Sequence, residues 1–429
     1  MPTDQSSVSS SLATLGATGW AVSEISSSAA PVIVFEGDSR TAQSKDPSQG
    51  YTCYGYVSWV RALARMKMTA VTLAVAGNTS AEMVARKGQV RNLKPWAVVR
   101  WCGVNDIAAG VAGLTAAQRI IDCALSDIAG GALSVLILET GYNAWAAPTV
   151  AQMVALNQTL LNFAAINSRV RIIHSLDLVV DYTAATQVPI TYLAGVFGDG
   201  LTHPSVSLSY SLGARVATLL DSLWGVPDGG AFLIPGDATN LLANAGFQAT
   251  GAGGYSAGWS GTTVNRWFGF QDGLATVVMT PQATPVQTNV REIQLAITTT
   301  GAANVLLFQD PIAGVAAGDY LVGSSEIEIT GTPINLVQAQ ANLYALVGAA
   351  SSFAWPLFYT AGYDPTPPTS SWPQVPMVQR SPETTPMLVA AGVINNMRYG
   401  LNISFRAAGS ATIKFRKPRV RKVSAGYLS

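Results

Sequence analysis

Val32-Ile33-Val34-Phe35-Glu36-Gly37-Asp38-Ser39-Arg40 is the stretch on which the reading of this fold turns. The apolar run Val32–Phe35 reads as a buried strand, Gly37 breaks it, and Ser39 stands at its carboxyl end before residues able to turn into a helix. Ligands of open α/β sheets lie outside the carboxyl ends of the strands. A serine there is placed to act as a nucleophile. Gly-Asp-Ser by itself carries little weight, because three common residue types recur by chance. Its meaning comes from the rest of the chain.

Working outward, similar apolar runs occur at Val71–Val75, Trp96–Cys102, Leu133–Leu138 and Val170–Ile173. Between them the apolar residues recur at helical spacing. Tyr56, Trp59, Val60, Leu63 and Met66 form one face, and Ile120, Ile121, Ala124, Leu125 and Ile128 another. Met153, Leu156, Leu160, Leu161 and Phe163 make a third, and a last helix is expected from about Ser205 to Leu223. Strands that alternate with helices in this way predict a doubly wound parallel sheet covered on both faces. The α/β unit is placed at residues 31–225, after an N-terminal arm at 1–30 rich in Ser, Ala and Thr. That arm is either a disordered tail or an attachment segment.

The texture changes after Trp224. Gly225-Val226-Pro227-Asp228-Gly229-Gly230 opens a linker, placed at 226–235, and no strong amphipathic helix follows. Residues 236–429 are instead short alternating segments: Ala275–Met279, Ile293–Ile297, Asn304–Phe308, Glu326–Ile329, Leu401–Phe405 and Thr412–Phe415. Such a pattern predicts an all-β sandwich, jelly-roll-like in its many short strands. Ala339–Ala349 reads as either a short helix or a strand pair, and Tyr363–Pro386, rich in Pro, Ser and Thr, as a long surface loop.

Three stretches give Ser39 its company. They are Ala76-Gly77-Asn78-Thr79-Ser80 after the second strand, Gly103-Val104-Asn105-Asp106 after the third, and Asp199-Gly200-Leu201-Thr202-His203-Pro204 before the last helix. All fall where one edge of the sheet ends. Acyl transfer needs a hydroxyl nucleophile, an imidazole to take its proton, a carboxylate to orient the imidazole and donors for the oxyanion. The chain holds two histidines, and only His203 has an acidic residue just upstream in such a loop.

These blocks resemble the SGNH (GDSL-type) hydrolases, esterases and lipases of flavodoxin-like fold. The resemblance implies Ser39 as nucleophile, His203 as general base and Asp199 as its orienting acid. It further implies an oxyanion hole made by the backbone N–H groups of Ser39 and Gly77 and the side-chain amide of Asn105. Two departures stand out. Three residues separate Asp199 from His203, where the family has two, and Arg40 occupies a position that is often aliphatic. Arg40 either contacts an acidic or polar substrate or points into a salt bridge or solvent. Asn143 and Trp145, after the fourth strand, either line the substrate cleft or serve loop packing, and the same holds for Glu139. Asp38 and Asp106 read as residues that fix their turns, and His174 as structural.

The C-terminal part resembles, more loosely, carbohydrate-binding β-sandwich modules, through Asn240-Leu241-Leu242-Ala243-Asn244-Ala245-Gly246-Phe247 and Gly258-Trp259-Ser260. The resemblance makes Trp259 and Trp267 candidate sugar-stacking residues, against the alternative that they fill the core. The basic run Lys414–Lys422 reads as a solvated strand guarding an edge.

Composition narrows the setting. Charged residues are only 11% and the net charge is +1, which gives no bulk attraction to nucleic acid or anionic membrane. No apolar stretch is long enough to span a bilayer. Neither histidine has a metal-ligand spacing, and no metal or cofactor is expected. Cys53, Cys102 and Cys123 cannot build a disulfide framework. Met1–Ala30 lacks a basic n-region and a continuous apolar segment, so it is not read as a signal peptide. The expectation is a serine esterase that removes acyl groups, O-acetyl foremost, from a bacterial surface polysaccharide. Its expected setting is a virion, as a trimeric phage tail-spike or tail-fibre component among other tail proteins, or else extracellular. A lipase or general carboxylesterase, and a non-catalytic glycan-binding virion protein, are the alternatives.

Overall fold

The computed structural model describes residues 30–43, 55–66, 68–185, 190–225, 239–251, 253–283, 291–310, 312–354, 373–379, 384 and 386–424. Contacts divide them into two units, one built on 30–43, 55–57 and 66–225, the other on 58–65 and 239–424. Residues 1–29 of the N-terminal arm, the whole linker 226–235 with residues 236–238 after it, Cys53 and the greater part of the Pro-rich segment 363–386 lie outside the described residues.

The first part of the chain alternates strand and helix. The order is β1 (Val32–Gly37), α1 (Ser39–Ala42), α2 (Tyr56–Leu63), β2 (Thr69–Thr72), α3 (Ser80–Asn92), β3 (Ala97–Trp101), α4 (Val104–Ala108), α5 (Gly113–Ala129), β4 (Leu133–Ile137), α6 (Ala147–Ala165), β5 (Val170–Ile173) and α7 (Val206–Trp224). The strands form a parallel sheet in the order β2-β1-β3-β4-β5. Strands β3 and β4 are buried along their whole length, as strands covered on both faces must be. Successive side chains of β1 point to opposite faces. Phe35 meets the ring of Tyr56 at 6.2 Å, while Val34 packs with Val90 and Val98. The expected second strand began later than β2 does. Its parallel pairing nevertheless continues past Thr72, with Leu73 N–H donating to the Phe35 carbonyl and Val75 N–H to that of Gly37.

The last helix starts and stops where its caps dictate. Ser205 Oγ accepts from Leu208 N–H at 3.3 Å, and Gly225 closes the helix at φ 70°.

The second part is all-β: β6 (Gly254–Tyr255), β7 (Trp259–Gly261), β8 (Trp267–Gln271), β9 (Ala275–Ala283), β10 (Arg291–Thr299), β11 (Ala303–Gln309), β12 (Tyr320–Val347), β13 (Ala350–Ala354), β14 (Met377–Gln379), β15 (Met387–Leu388) and β16 (Ile394–Val423). These eleven strands belong to one hydrogen-bonded sheet. The two long strands, β12 and β16, pair antiparallel along most of their length. On its other edge β16 pairs with β11 through Tyr399–Phe405 and with β10 through Gly409–Phe415. The β12–β16 register shifts between Thr330 and Gln338, and Gly331 and Asn335 take φ of 69° and 56° there. Such bulges bend a strand. The bend brings distant parts of the sheet face to face: Trp267 lies opposite Gln309, and Gln309 opposite Tyr399, yet the Trp267 ring is 5.7 Å from that of Phe415. The core of this unit therefore closes around Phe247, Trp267 and Phe415.

The structure decides between the readings of Ala339–Ala349. It forms the end of β12 and the turn that leads into β13, with Gly348 at φ 60°, and is not helical.

No helix among the described residues is long and apolar enough to cross a membrane.

Candidate active site

Strand β1 runs between β2 and β3, so the loops that leave their carboxyl ends flank the end of β1. Gly37 is needed at that end. A Cβ on it would lie 2.3 Å from Thr41 Oγ1 and 2.6 Å from the Trp101 carbonyl. Asp38 follows as N-cap of α1, its Oδ1 accepting from Arg40 N–H at 3.0 Å, while its carbonyl accepts from the amides of Thr41 and Ala42. The turn leaves Ser39 half-buried between the fully buried Asp38 and Arg40.

Ser39 Oγ lies 2.8 Å from Nε2 of His203. The other ring nitrogen, Nδ1, lies 2.5 Å from Asp199 Oδ2. An ionised carboxylate only accepts, so the proton sits on Nδ1 and Nε2 faces the hydroxyl as an acceptor. The extra residue between Asp199 and His203 causes no gap. Asp199 Oδ1 accepts from the amides of Leu201, Thr202 and His203 at 2.8, 2.9 and 3.1 Å, which wraps the turn around the carboxylate. Burial raises the Asp199 pKa, but the His203 ring and these three amides outweigh it and hold the carboxyl below its usual range.

Gly77 lies in the loop after β2 at φ 80°, with open space where a Cβ would stand. Asn105, in the first turn of α4, donates through Nδ2 to the Asn78 carbonyl at 2.9 Å. That bond uses one of its two amide hydrogens and ties the β3 loop to the Gly77 loop. Asp106 reinforces the tie, its carboxylate accepting from Ser80 N–H at 2.7 Å and Ser80 O–H at 2.6 Å. Asp38 and Asp106 thus fix turns, as their positions in the sequence suggest.

Arg40 is not a substrate contact. Its side chain is fully buried, pairs with Asp38 at 2.7 Å and with Glu139 at 2.6 Å, and lies 4.3 Å over the Trp101 ring. Burial works against its charge, but the two carboxylates prevail and raise its pKa. Glu139 is equally buried and lines no cleft. Asn143 is exposed, and its amide groups hold the acid–base turn: N–H donates to the Leu201 carbonyl and Nδ2 to that of Gly200, both at 2.9 Å. Trp145 is half-buried and stacks on Tyr142 at 6.3 Å. His174 is exposed beyond β5, away from these bonds, and its carbonyl accepts from Arg215.

Trp267 cannot stack on a sugar, because it is fully buried and its indole N–H donates to the Asn244 carbonyl. Trp259 is half-buried, with its ring 5.5 Å from that of Tyr255.

Among the described residues no group of three or more His, Cys, Asp or Glu is arranged to hold a metal ion. Cys102 and Cys123 are buried thiols, and burial pushes Cys123 up to about 11, so neither is a nucleophile at neutral pH.

A serine, histidine and aspartate in relay, at the carboxyl end of a parallel sheet, is the arrangement of an acyl-transfer site. Residues 35–207 match the GDSL-like Lipase/Acylhydrolase family. The match spans the unit from the end of β1 to the start of α7 and supports a GDSL-type acylhydrolase there, an esterase class of hydrolase. Solved structures similar to the chain include a lipolytic protein of the G-D-S-L family from Desulfitobacterium hafniense (14% identity, 44% of this chain, 99% of that one, TM-score 0.36). They also include TesA (22% identity, 45% and 99%, TM-score 0.34). An acetyl-xylooligosaccharide esterase mutant from Geobacillus Stearmophilus is another (16% identity, 47% and 97%, TM-score 0.36). No curated protein matches the chain.

Two parts of this candidate site have no clear mark in the sequence. The Arg40–Glu139 pair joins residues 99 positions apart, and only the aliphatic-to-arginine departure at position 40 hinted at it. The role of Thr202 left no signal: its Oγ1 donates to the Gly141 carbonyl at 3.1 Å, bracing the acid–base turn against the β4 loop.

Proposed function

We propose that this protein is a serine esterase that removes O-acyl groups, acetyl foremost, from a bacterial surface polysaccharide. The observation that carries the chemistry is the Ser39–His203–Asp199 relay. His203 Nε2 takes the Ser39 proton as Oγ bonds to the acyl carbon. The amides of Ser39 and Gly77 and the free amide hydrogen of Asn105 receive the oxyanion. Collapse breaks the bond to the sugar oxygen, which takes the proton from His203. Water, deprotonated by the same imidazole, then releases the carboxylic acid from the acyl-enzyme. Asp199 orients the ring and balances its transient charge throughout.

The glycan part of the proposal is supported by a chain poor in charge, with 11% charged residues, and by the all-β unit that accompanies the α/β unit. A phage tail-spike or tail-fibre, assembled as a trimer with other tail proteins, is the setting we propose. One observation favours a second reading, a lipase or general carboxylesterase. Val75 and Leu201, next to the Gly77 loop and within the acid–base turn, are 48% and 38% exposed, and could contact a longer acyl chain.

Incubation with p-nitrophenyl acetate, longer-chain esters and an O-acetylated polysaccharide, beside Ser39→Ala, separates the readings. Acetate released from polysaccharide and lost in the variant supports the proposal. Strong preference for long chains favours the lipase, and equal background from both proteins leaves a non-catalytic virion protein.

A further inference from the structure

The buried ion pairs beneath the nucleophile have no obvious place in the chemistry. Arg40 Nε and Nη2 donate to Asp38 at 3.0 and 2.7 Å, and Nη1 and Nη2 to Glu139 at 2.6 and 2.9 Å. All three side chains are fully buried. Stability alone does not call for them, because well-packed apolar residues commonly do as well as a buried ion pair or better. What charged groups supply there is direction. A guanidinium is a rigid planar fork that fixes two carboxylates relative to each other.

The two carboxylates belong to different loops of the site. Asp38 caps the turn that carries Ser39. Glu139 begins the loop after β4, where its Oε1 also accepts from Gly141 N–H at 2.9 Å, and its backbone N–H and carbonyl are both held by the Asn157 side chain of α6. That loop grips the acid–base turn through further bonds. Thr202 Oγ1 donates to the Gly141 carbonyl, Asn143 N–H to that of Leu201 and Asn143 Nδ2 to that of Gly200. A continuous path therefore runs from the nucleophile turn through Arg40, Glu139 and Gly141 to the turn that holds Asp199 and His203. It is separate from the contact that Ser39 and His203 make with each other.

We propose that Arg40 is a positioning residue for the acyl-transfer reaction, setting the register between the Ser39 turn and the Asp199–His203 turn through Glu139 and the Gly141–Asn143 loop. The inference rests on the serine-esterase reading above. Arg40 touches neither substrate nor reacting atoms. It acts by keeping the Oγ–Nε2 approach at hydrogen-bond length, which the reaction requires and which shifts of an ångström would spoil.

The test is a set of kinetic measurements on the full chain with p-nitrophenyl acetate, with folding of each variant checked by circular dichroism. Arg40→Leu is expected to lower kcat by about 10- to 100-fold with KM little changed. Arg40→Lys, which keeps charge but not the fork, should recover only part. Thr202→Val, at the far end of the path, should lower kcat in the same manner. In the double variant Arg40→Lys/Thr202→Val the combined loss should fall short of the product of the single losses, because the second cut acts on a path already broken. Arg40→Leu or Thr202→Val with wild-type kcat, or losses that simply multiply, would overturn the proposal. If Arg40→Leu does not fold, the Lys/Val cycle decides. Wild-type protein without Ser39-dependent turnover would overturn the esterase reading itself, and that outcome is distinct from an active enzyme indifferent to position 40.

Discussion

His203 Nε2 stands 2.8 Å from Ser39 Oγ, although 164 residues separate the two along the chain. Strand β1 delivers one and the turn before α7 the other. The imidazole is positioned in turn by a carboxylate four residues upstream. Removing the hydroxyl should therefore abolish turnover while leaving the fold alone. Ser39→Ala is expected to lower kcat on p-nitrophenyl acetate by on the order of 10⁴-fold or more, with an unchanged thermal midpoint. Residual turnover near the wild-type rate would remove Ser39 from the mechanism.

Asp199→Asn separates the two duties of this carboxylate. An asparagine oxygen can still accept from the amides of Leu201, Thr202 and His203, so the turn should persist. The ring, however, loses the acceptor that selects its productive tautomer. The expected result is a loss of about 10⁴-fold in kcat with a thermal midpoint within a few degrees of wild type.

The same carboxyl makes stability depend on acid. Its folded pKa is held below the unfolded value, so the native state releases that proton more readily than the unfolded chain does. The resulting stabilisation is fully present above the unfolded pKa of about 3.9 and is lost as pH falls through the lower folded value. Between pH 5 and pH 3, urea midpoints of the wild type should drop more steeply than those of Asp199→Asn. Parallel slopes would contradict the assignment.

Gly37→Ala tests the close approach at the end of β1. The new methyl would meet the Trp101 carbonyl, which belongs to the sheet and cannot move aside, as well as Thr41 Oγ1. Overpacking of this kind costs about 1–3 kcal/mol. Chemical denaturation should report that loss, and kcat should fall with it because the displaced turn carries Ser39.

In the β-rich unit, position within one short strand separates core from surface. Trp267→Ala is expected to lower unfolding free energy by about 3–5 kcal/mol, since it empties the contact with Phe247 and Phe415. Phe270→Ser, on the outward side of β8 and 47% exposed, should change it by no more than about 0.5 kcal/mol. Denaturant titration of the two variants measures the difference.

Much of the α/β unit was legible because its physics is local. Short apolar runs at Val32–Phe35 and Leu133–Leu138, too short for helices and bounded by turn residues, fit strands covered on both faces, and glycines at the ends of β1 and β3 mark where the chain must turn. Ser39, His203 and Asp199 could be singled out for the same reason. Each sits at a strand end or a helix entry, and chemistry limits which residue types can cooperate there. The long strands β12 and β16 were legible only as fragments, such as Glu326–Ile329 and Thr412–Phe415. Their bulges interrupt the alternation that marks a strand.

By itself, then, the amino-acid sequence determined the alternation of strands and helices, the all-β character of the C-terminal part, and Ser39, Asp199 and His203 as the candidates that the fold brings together. Tertiary structure alone decided the fate of Arg40, because its partner Glu139 is distant in the chain and nothing local distinguishes a buried guanidinium from one reaching solvent. It also decided that Trp267 faces inward. A strand alternates its faces with period two, so a shift of one residue would have exposed Trp267 and buried Phe268, and only the packing against Phe247 and Phe415 selects between them.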